Sequence, residues 1–172
     1  LLKRGRPEGV SIEGLTSARN TGFVKDSGLY DAVIAYDDIA AMDPAPARLI
    51  VDFAGSADVN RALHTRFGES LKANIRVGGA HWEKSAPARD LPGPRPTFFF
   101  APDDARKRIA EWGPEGFAKR QGEAWAQFAA AADTLLDWRS LDGPQETLTA
   151  YQALVRGDVP ASEALVVEAG AR

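Results

Sequence analysis

Arg48-Leu-Ile-Val-Asp-Phe53, ending in Ala54-Gly55-Ser56, is the stretch whose reading decides the fold. Its central Leu49, Ile50 and Val51 are purely apolar, as strands covered on both faces of a parallel sheet tend to be. Ser56 or Asp58 then caps a helix on which Val59, Leu63 and Phe67 recur every four residues, and Gly68 closes it. Ala73-Asn-Ile-Arg-Val77 follows as the next strand and runs into Gly78-Gly79. Strand, helix and strand in this order make a βαβ unit and predict a mostly parallel sheet of the α/β class.

The same alternation extends outward on both sides. Val10-Ser-Ile-Glu-Gly-Leu15 reads as a first strand, although Glu13 fits poorly inside a fully buried one. Thr16 to Asn20 supplies turn and cap chemistry for a short helix, Thr21 to Asp26, which Gly28 terminates. Asp31 to Tyr36 is a further strand. From Lys84 to Pro96, four prolines exclude a helix or a central strand and predict a surface loop. Thr97 to Phe100 reads as a short aromatic strand. A helix capped at Asp103-Asp104 runs through Trp112, a long Ala-rich helix from Phe117 to Trp138, and another from Glu146 to Arg156 with Gly157 as its stop. Ala164 to Val167 is the final strand.

Composition bounds the chemistry. The 172 residues are 44% hydrophobic and 26% charged, enough apolar mass for one globular core. No cysteine is present, which excludes disulfide scaffolds, thiol nucleophiles and Cys-ligated metals, and two histidines make a His-rich metal site a poor reading. Net charge is −3, so nothing overall attracts a polyanion and nucleic acid is not an expected partner. No run approaches the 18 or so apolar residues of a membrane span, and Leu-Leu-Lys-Arg-Gly-Arg lacks the apolar centre of a signal peptide. A soluble cytoplasmic protein is expected. The opening Leu1 to Gly5 reads as the last turn of a helix closed by glycine, so a preceding segment is expected.

In an open parallel sheet, ligands bind beyond the carboxyl ends of the strands. Thr16-Ser-Ala-Arg-Asn20 places hydroxyls, an amide and a guanidinium at the first such end. Arg19 with its hydroxyl neighbours suits a 2′-phosphate better than a free 2′-hydroxyl, which leans towards NADP; a capped helix with a solvated arginine accounts for the same residues. Phe53-Ala54-Gly55 and Val77-Gly78-Gly79 occupy the next two ends, with small residues that let a flat ring approach the backbone. Each glycine alone reads as a turn, and only their joint position points to a site.

Gly14-Leu-Thr-Ser-Ala-Arg-Asn20, Gly28-Leu-Tyr-Asp-Ala-Val-Ile-Ala-Tyr36, Val51-Asp-Phe-Ala-Gly55 and Ile75-Arg-Val-Gly-Gly79 together resemble the cofactor domain of the medium-chain dehydrogenase/reductases. The nearest likeness is to a divergent group of their zinc-free, quinone-oxidoreductase-like branch. Glu146 to Gly157 with Ala164 to Val167 resembles that family's closing helix and strand. The resemblance implies a Rossmann-like sheet with flanking helices, read over residues 1–172 as one partial nucleotide-binding domain with a C-terminal helical segment. It also implies that the first strand, the Gly-rich phosphate loop and the catalytic domain lie N-terminal to Leu1; no G-x-G-x-x-G occurs in the chain. By the same resemblance, Ser17, Arg19 and Asn20 would line a 2′-phosphate pocket, and Tyr36 would sit beside the adenosine. Phe53, Ala54, Gly55, Val77, Gly78 and Gly79 would pass near the nicotinamide of NADP, and Thr97 to Phe100 would pair across a homodimer.

The expected activity is hydride transfer from NADPH to a quinone, enone or related carbonyl compound; the alternative is a non-enzymatic Rossmann-like remnant that serves dimerisation or protein contact. His81 is the one candidate proton donor at the nicotinamide end, against a histidine merely packed beside Trp82. His64, on the Val59 to Phe67 helix, reads as structural or exposed. Asp37-Asp38 and Asp103-Asp104 occupy loop and cap positions where solvated acids are ordinary. Trp112, Trp125 and Trp138 read as packing residues.

Overall fold

The computed structural model describes residues 6–79 and 90–167. The expected helix end at Leu1 to Gly5, His81 with Trp82, and the Lys84 to Arg89 part of the proline loop lie outside the described residues. In chain order the elements are β1 (Glu13–Thr16), α1 (Thr21–Asp26), β2 (Ala32–Ala35), β3 (Arg48–Asp52), α2 (Ala57–Phe67), β4 (Leu71–Arg76), β5 (Thr97–Phe98), α3 (Ala101–Leu135), β6 (Asp137–Leu141), α4 (Gly143–Arg156) and β7 (Glu163–Val167). Helical turns of the 3-10 type occupy Ala18–Asn20, Tyr36–Ala41 and Gly68–Ser70. The strands form a β1–β2 pair, a sheet of order β3–β4–β5 and a β6–β7 pair. β3, β4 and β5 are mutually parallel, as are β6 and β7. The protein is therefore mixed α/β, with short parallel sheets.

The chain divides into two compact units. One unit contains Leu15–Ala18 and Ile34–Phe117, and its core is Ile39, Met42, Leu63, Phe67 and Leu71, with Leu15, Ile34, Tyr36, Ile50 and Val59 packed against it. Helix α2 forms where the apolar spacing predicts. Ser56 accepts a hydrogen bond from the Val59 N–H (3.5 Å), and Gly68 ends the helix at φ 47°, a backbone position that suits glycine. Leu63, His64 and Phe67 are the buried residues of α2. β3 differs from its expected burial on both faces: Ile50 faces the core, whereas Leu49 and Val51 are 58% and 42% exposed. Successive strand side chains alternate between faces, and α2 with its core accounts for one face only.

The core holds a polar chain whose hydrogen-bond directions are fixed from both ends. Asn60 donates to the Asp52 carboxylate (2.7 Å) and to the Ser56 carbonyl (2.9 Å), neither of which can donate in return. Its amide oxygen therefore accepts from Asn74 (2.9 Å). The second Asn74 N–H meets His64 Nε2 at 2.8 Å, so that nitrogen accepts. His64 Nδ1 then carries the proton and donates to the Pro92 carbonyl (2.8 Å). His64 and Asn74 are fully buried, which settles His64 as structural rather than exposed. The chain ties α2, β4 and the segment leading into β5 together.

The other unit contains residues up to Gly14, Arg19–Val33 and the chain from Ala118 onward. The two expected helices between Asp103 and Trp138 form within α3, separated at Gly113, whose backbone (φ 69°, ψ 163°) is not helical and which Pro114 follows. Helix α3 stops at Leu135, and Asp137–Leu141 is a strand rather than helix, pairing residue for residue with Glu163–Val167. β6, α4 and β7 thus form a second βαβ unit. In α4, Glu146 reaches back to accept the Asp142 N–H (2.9 Å), and Gly157 caps the last turn at φ 72°. That hydrogen bond, aided by Arg139, holds the Glu146 carboxyl below its ordinary pKa.

Replacing either end of a buried hydrogen bond strands its partner, whereas replacing both removes the demand. His64→Leu and Asn74→Leu should each lower stability by about 1–3 kcal/mol, the range for an unsatisfied buried polar group. The double variant should lose less than the sum, which urea denaturation of the four proteins in a double-mutant cycle checks. Strict additivity would mean that the two side chains are not coupled.

Candidate functional site

The site forms where β3 and β4 end, within the unit that carries the Leu63 and Phe67 core. The Asp52 carbonyl accepts the Val77 N–H (2.8 Å) and the Gly78 N–H (3.3 Å), while the Asp52 carboxylate accepts the Gly55 N–H (2.8 Å). These bonds lay the two strand-end loops against each other. A Cβ on Gly55, at φ 70°, would stand 2.9 Å from Gly79 Cα, and one on Gly78 would stand 2.9 Å from the Phe53 carbonyl oxygen. Both contacts are impossible for a real side chain. The structure brings Phe53, Ala54, Gly55, Val77, Gly78 and Gly79 together as expected, yet the close approach that the glycines allow is between the loops themselves.

Beside these loops lies an open cleft of about 610 Å³ lined by Arg76, Val77, Gly78, Gly79, Arg95, Pro96 and Phe98. Arg76 Nε donates to the Gly78 carbonyl (3.3 Å), and its guanidinium passes 3.0 Å from the Cβ position of Gly55. Asp52, Arg76 and Phe98 are register neighbours across β3, β4 and β5, so all three project from one face of the sheet. Arg76, Arg95 and Phe98 escaped the reading of the sequence. A lone arginine between Ile75 and Val77, and another between two prolines, were the signals that could have marked them.

The first strand end is distributed over both units. Ser17 and Tyr36 belong to the unit with the β3–β4–β5 sheet, and Arg19 and Asn20 to the other. Tyr36 opens the 3-10 turn Tyr36–Ala41 and packs, half-buried, against the core. Burial, and secondarily the Asp52 carboxylate, raise its hydroxyl pKa above the ordinary value. Asn20 stands at the N-cap of α1 without making a side-chain cap bond, so simple capping does not explain its amide. Arg19 Nη2 lies 3.4 Å from where a Gly157 Cβ would be, over the carboxyl end of α4, where a cation is favourable. His81 lies outside the described residues. Asp37 and Asp38 fall in the 3-10 turn, and Asp103 and Asp104 in the first turn of α3, paired there with Arg106 and Lys107.

A family model described as "Protein of unknown function (DUF2855)" matches residues 1–160. The chain belongs to the DUF2855 family. No curated protein and no solved structure matches it. The matched span of this DUF2855 chain takes in both glycine loops, the cleft and the Ser17 to Asn20 strand end. Among the described residues, no group of three or more His, Asp or Glu side chains could hold a metal ion, and no helix is long and apolar enough to cross a membrane.

Gly55 and Gly28 both have positive φ, but nothing lies within 4 Å of a Cβ on Gly28. Gly28→Ala should therefore cost only the backbone strain, about 1–2 kcal/mol. Gly55→Ala adds a backbone clash and should cost more, which thermal or urea unfolding of the two variants measures. Equal losses would show that the loop contact is not maintained. For Tyr36, a raised folded pKa means that its contribution to stability is complete below the ordinary tyrosine value near 10 and is lost as pH rises through the folded pKa. Alkaline titration of tyrosinate absorbance should show a step above that value, absent from Tyr36→Phe.

Proposed function

We propose that this DUF2855 chain forms part of the cofactor-binding portion of an NADP-dependent, zinc-independent oxidoreductase acting on a quinone, enone or related carbonyl compound. The observation that carries the reading is the strand order. The parallel order β3–β4–β5 matches one flank, 4-5-6, of the doubly wound order 3-2-1-4-5-6. In that arrangement ligands lie beyond the carboxyl ends of strands, where the Gly55 and Gly78-Gly79 loops meet.

The residues fit such a cofactor unevenly. Asn20 has no cap bond, and Ser17 and Arg19 offer a hydroxyl and a guanidinium suited to a 2′-phosphate. The cleft beside Val77, Gly78 and Gly79 has room for a planar ring. Gly55 and Gly78 are already required by loop packing, so they add nothing specific to the case for a nucleotide. In this reading Ser17, Arg19, Asn20 and Tyr36 hold the adenosine end, and Phe53 to Gly55 with Val77 to Gly79 border the nicotinamide. The bound cofactor supplies the hydride, while these residues orient it and shape the space for the acceptor. The homodimer that the resemblance implies would use β5, which pairs with β4 along one edge and carries Phe98 exposed, together with exposed Phe99 and Phe100 just after it. The same aromatic run, with exposed Leu49, Val51 and Phe53, favours the second reading, an interaction module without enzymatic activity.

Arg19→Ala in the intact protein should weaken NADPH binding by roughly 1.5–3 kcal/mol, the range for hydrogen bonds to a charged group, and leave NADH nearly unchanged. Titration of nicotinamide fluorescence checks it; equal losses for both cofactors would remove the 2′-phosphate role, and no binding of either by the wild type would leave the interaction module. Phe99→Lys should convert a dimer to a monomer in sedimentation velocity. A monomeric parent would defeat the β5 interface.

A further inference from the structure

The buried hydrogen-bond chain beneath the strand ends leaves one acceptor over. Asn74 gives one side-chain N–H to Asn60 Oδ1 (2.9 Å) and the other to His64 Nε2 (2.8 Å), while its own Oδ1 is buried without a hydrogen bond. An unsatisfied buried amide oxygen is costly and calls for an explanation. The Asn74 amide cannot relieve it by turning over while His64 is neutral. The single imidazole N–H, on Nδ1, goes to the Pro92 carbonyl (2.8 Å), so Nε2 has no hydrogen to offer a turned oxygen. That oxygen would also meet Asn60 Oδ1. Asn60 cannot turn in response, because its N–H groups serve the Asp52 carboxylate (2.7 Å) and the Ser56 carbonyl (2.9 Å), both of which only accept.

We propose that His64 and Asn74 form a proton switch, in which uptake of one proton at His64 Nε2 turns the Asn74 amide over and breaks its bond to Asn60. The proton comes from solvent and adds to the Nε2 lone pair, which leaves an imidazolium with two N–H donors. Nε2–H then faces the Asn74 N–H, donor against donor. Half a turn of the Asn74 amide removes the conflict, since the spare Oδ1 accepts the new N–H in a charge-assisted bond. The same turn sets Asn74 Oδ1 against Asn60 Oδ1, and the chain parts there. Asp52, Asn60 and the Gly55 loop stay on one side; Asn74, His64 and the segment that leads through Pro92 to Arg95 and Pro96 of the cleft stay on the other. No charged side chain among the described residues bonds the imidazole, and Asp52 is joined to it only through the two asparagines. Of the other charged groups on adjoining elements, Arg48 on β3 lies over Phe67, Arg66 on α2 donates to the Met42 carbonyl and Arg76 on β4 to the Gly78 carbonyl. Asp58 and Arg61 on α2, Asp37 and Asp38 in the turn that packs on it, Glu69 in the turn after it, Lys72 on β4, and Asp90 and Arg95 before β5 are exposed. The switch does not rest on the oxidoreductase reading.

Side-chain proton–nitrogen NMR of the intact protein, followed as the pH is lowered with no ligand added, reads the switch. The neutral imidazole should carry its hydrogen on Nδ1, and the Asn60 and Asn74 side-chain amide signals should move together with the charging of His64. His64→Gln should abolish that joint movement. In Asn60→Ala the oxygen that opposes the turned amide is gone, so His64 should hold its proton about 3- to 10-fold more tightly, the equivalent of one hydrogen bond. Three results would overturn the switch: charging of His64 with both asparagine signals unmoved, an imidazole that stays uncharged until the protein unfolds, or an asparagine response that persists in His64→Gln and so belongs to Asp52. Should His64→Gln fail to fold, Asn60→Ala decides alone, and unchanged proton binding there also overturns the proposal.

Discussion

Asp52 ends β3 with all of its oxygens engaged, and the arrangement around the site depends on that residue. Its carbonyl takes two N–H groups from the loop after β4, one carboxylate oxygen takes the Gly55 N–H, and the other takes the Asn60 amide. A carboxylate is an acceptor only, so every group around it must donate. That requirement propagates through Asn60 and Asn74 to His64 and the Pro92 carbonyl, and so fixes the orientation of each amide and the tautomer of the histidine. The strand ends and the segment before β5 are held by one directional chain of hydrogen bonds.

Glycine at this place has two separate explanations that the structure distinguishes. A binding loop needs glycine so that a ligand can approach the backbone, whereas here Gly55 and Gly78 let two loops approach each other and Arg76. The side chains that line the cleft stand instead at the margin of those loops. Arg76 and Phe98 are placed by sheet register, and Arg95 is placed by the prolines beside it.

Much of the first βαβ unit was legible because its signals are local. Val59, Leu63 and Phe67 at helical spacing, Ser56 at the cap and Gly68 at the stop reproduce α2 within two residues at either end, and Thr21–Asp26 matches α1. The strand Asp137–Leu141 was not legible. Trp138 follows an Ala-rich helix with nothing local to end it, and the strand exists because Glu163–Val167 pairs with it from across α4. The boundary between the two expected helices was legible, because Gly113 leaves the helical backbone and Pro114 lacks the N–H that would continue the first helix.

By itself the sequence determined the class of the protein, since a period of two or four residues and the placement of glycine, proline and capping side chains are properties of neighbouring residues. It also located the strand ends at which a site would form. Only the tertiary structure decided which side chains share that site. Arg76, Arg95 and Phe98 meet because parallel register sets Arg76 beside Phe98 and because His64 holds the Pro92 segment against α2. Neither relation involves residues close in sequence, and side-chain chemistry at a site depends on such distant pairings.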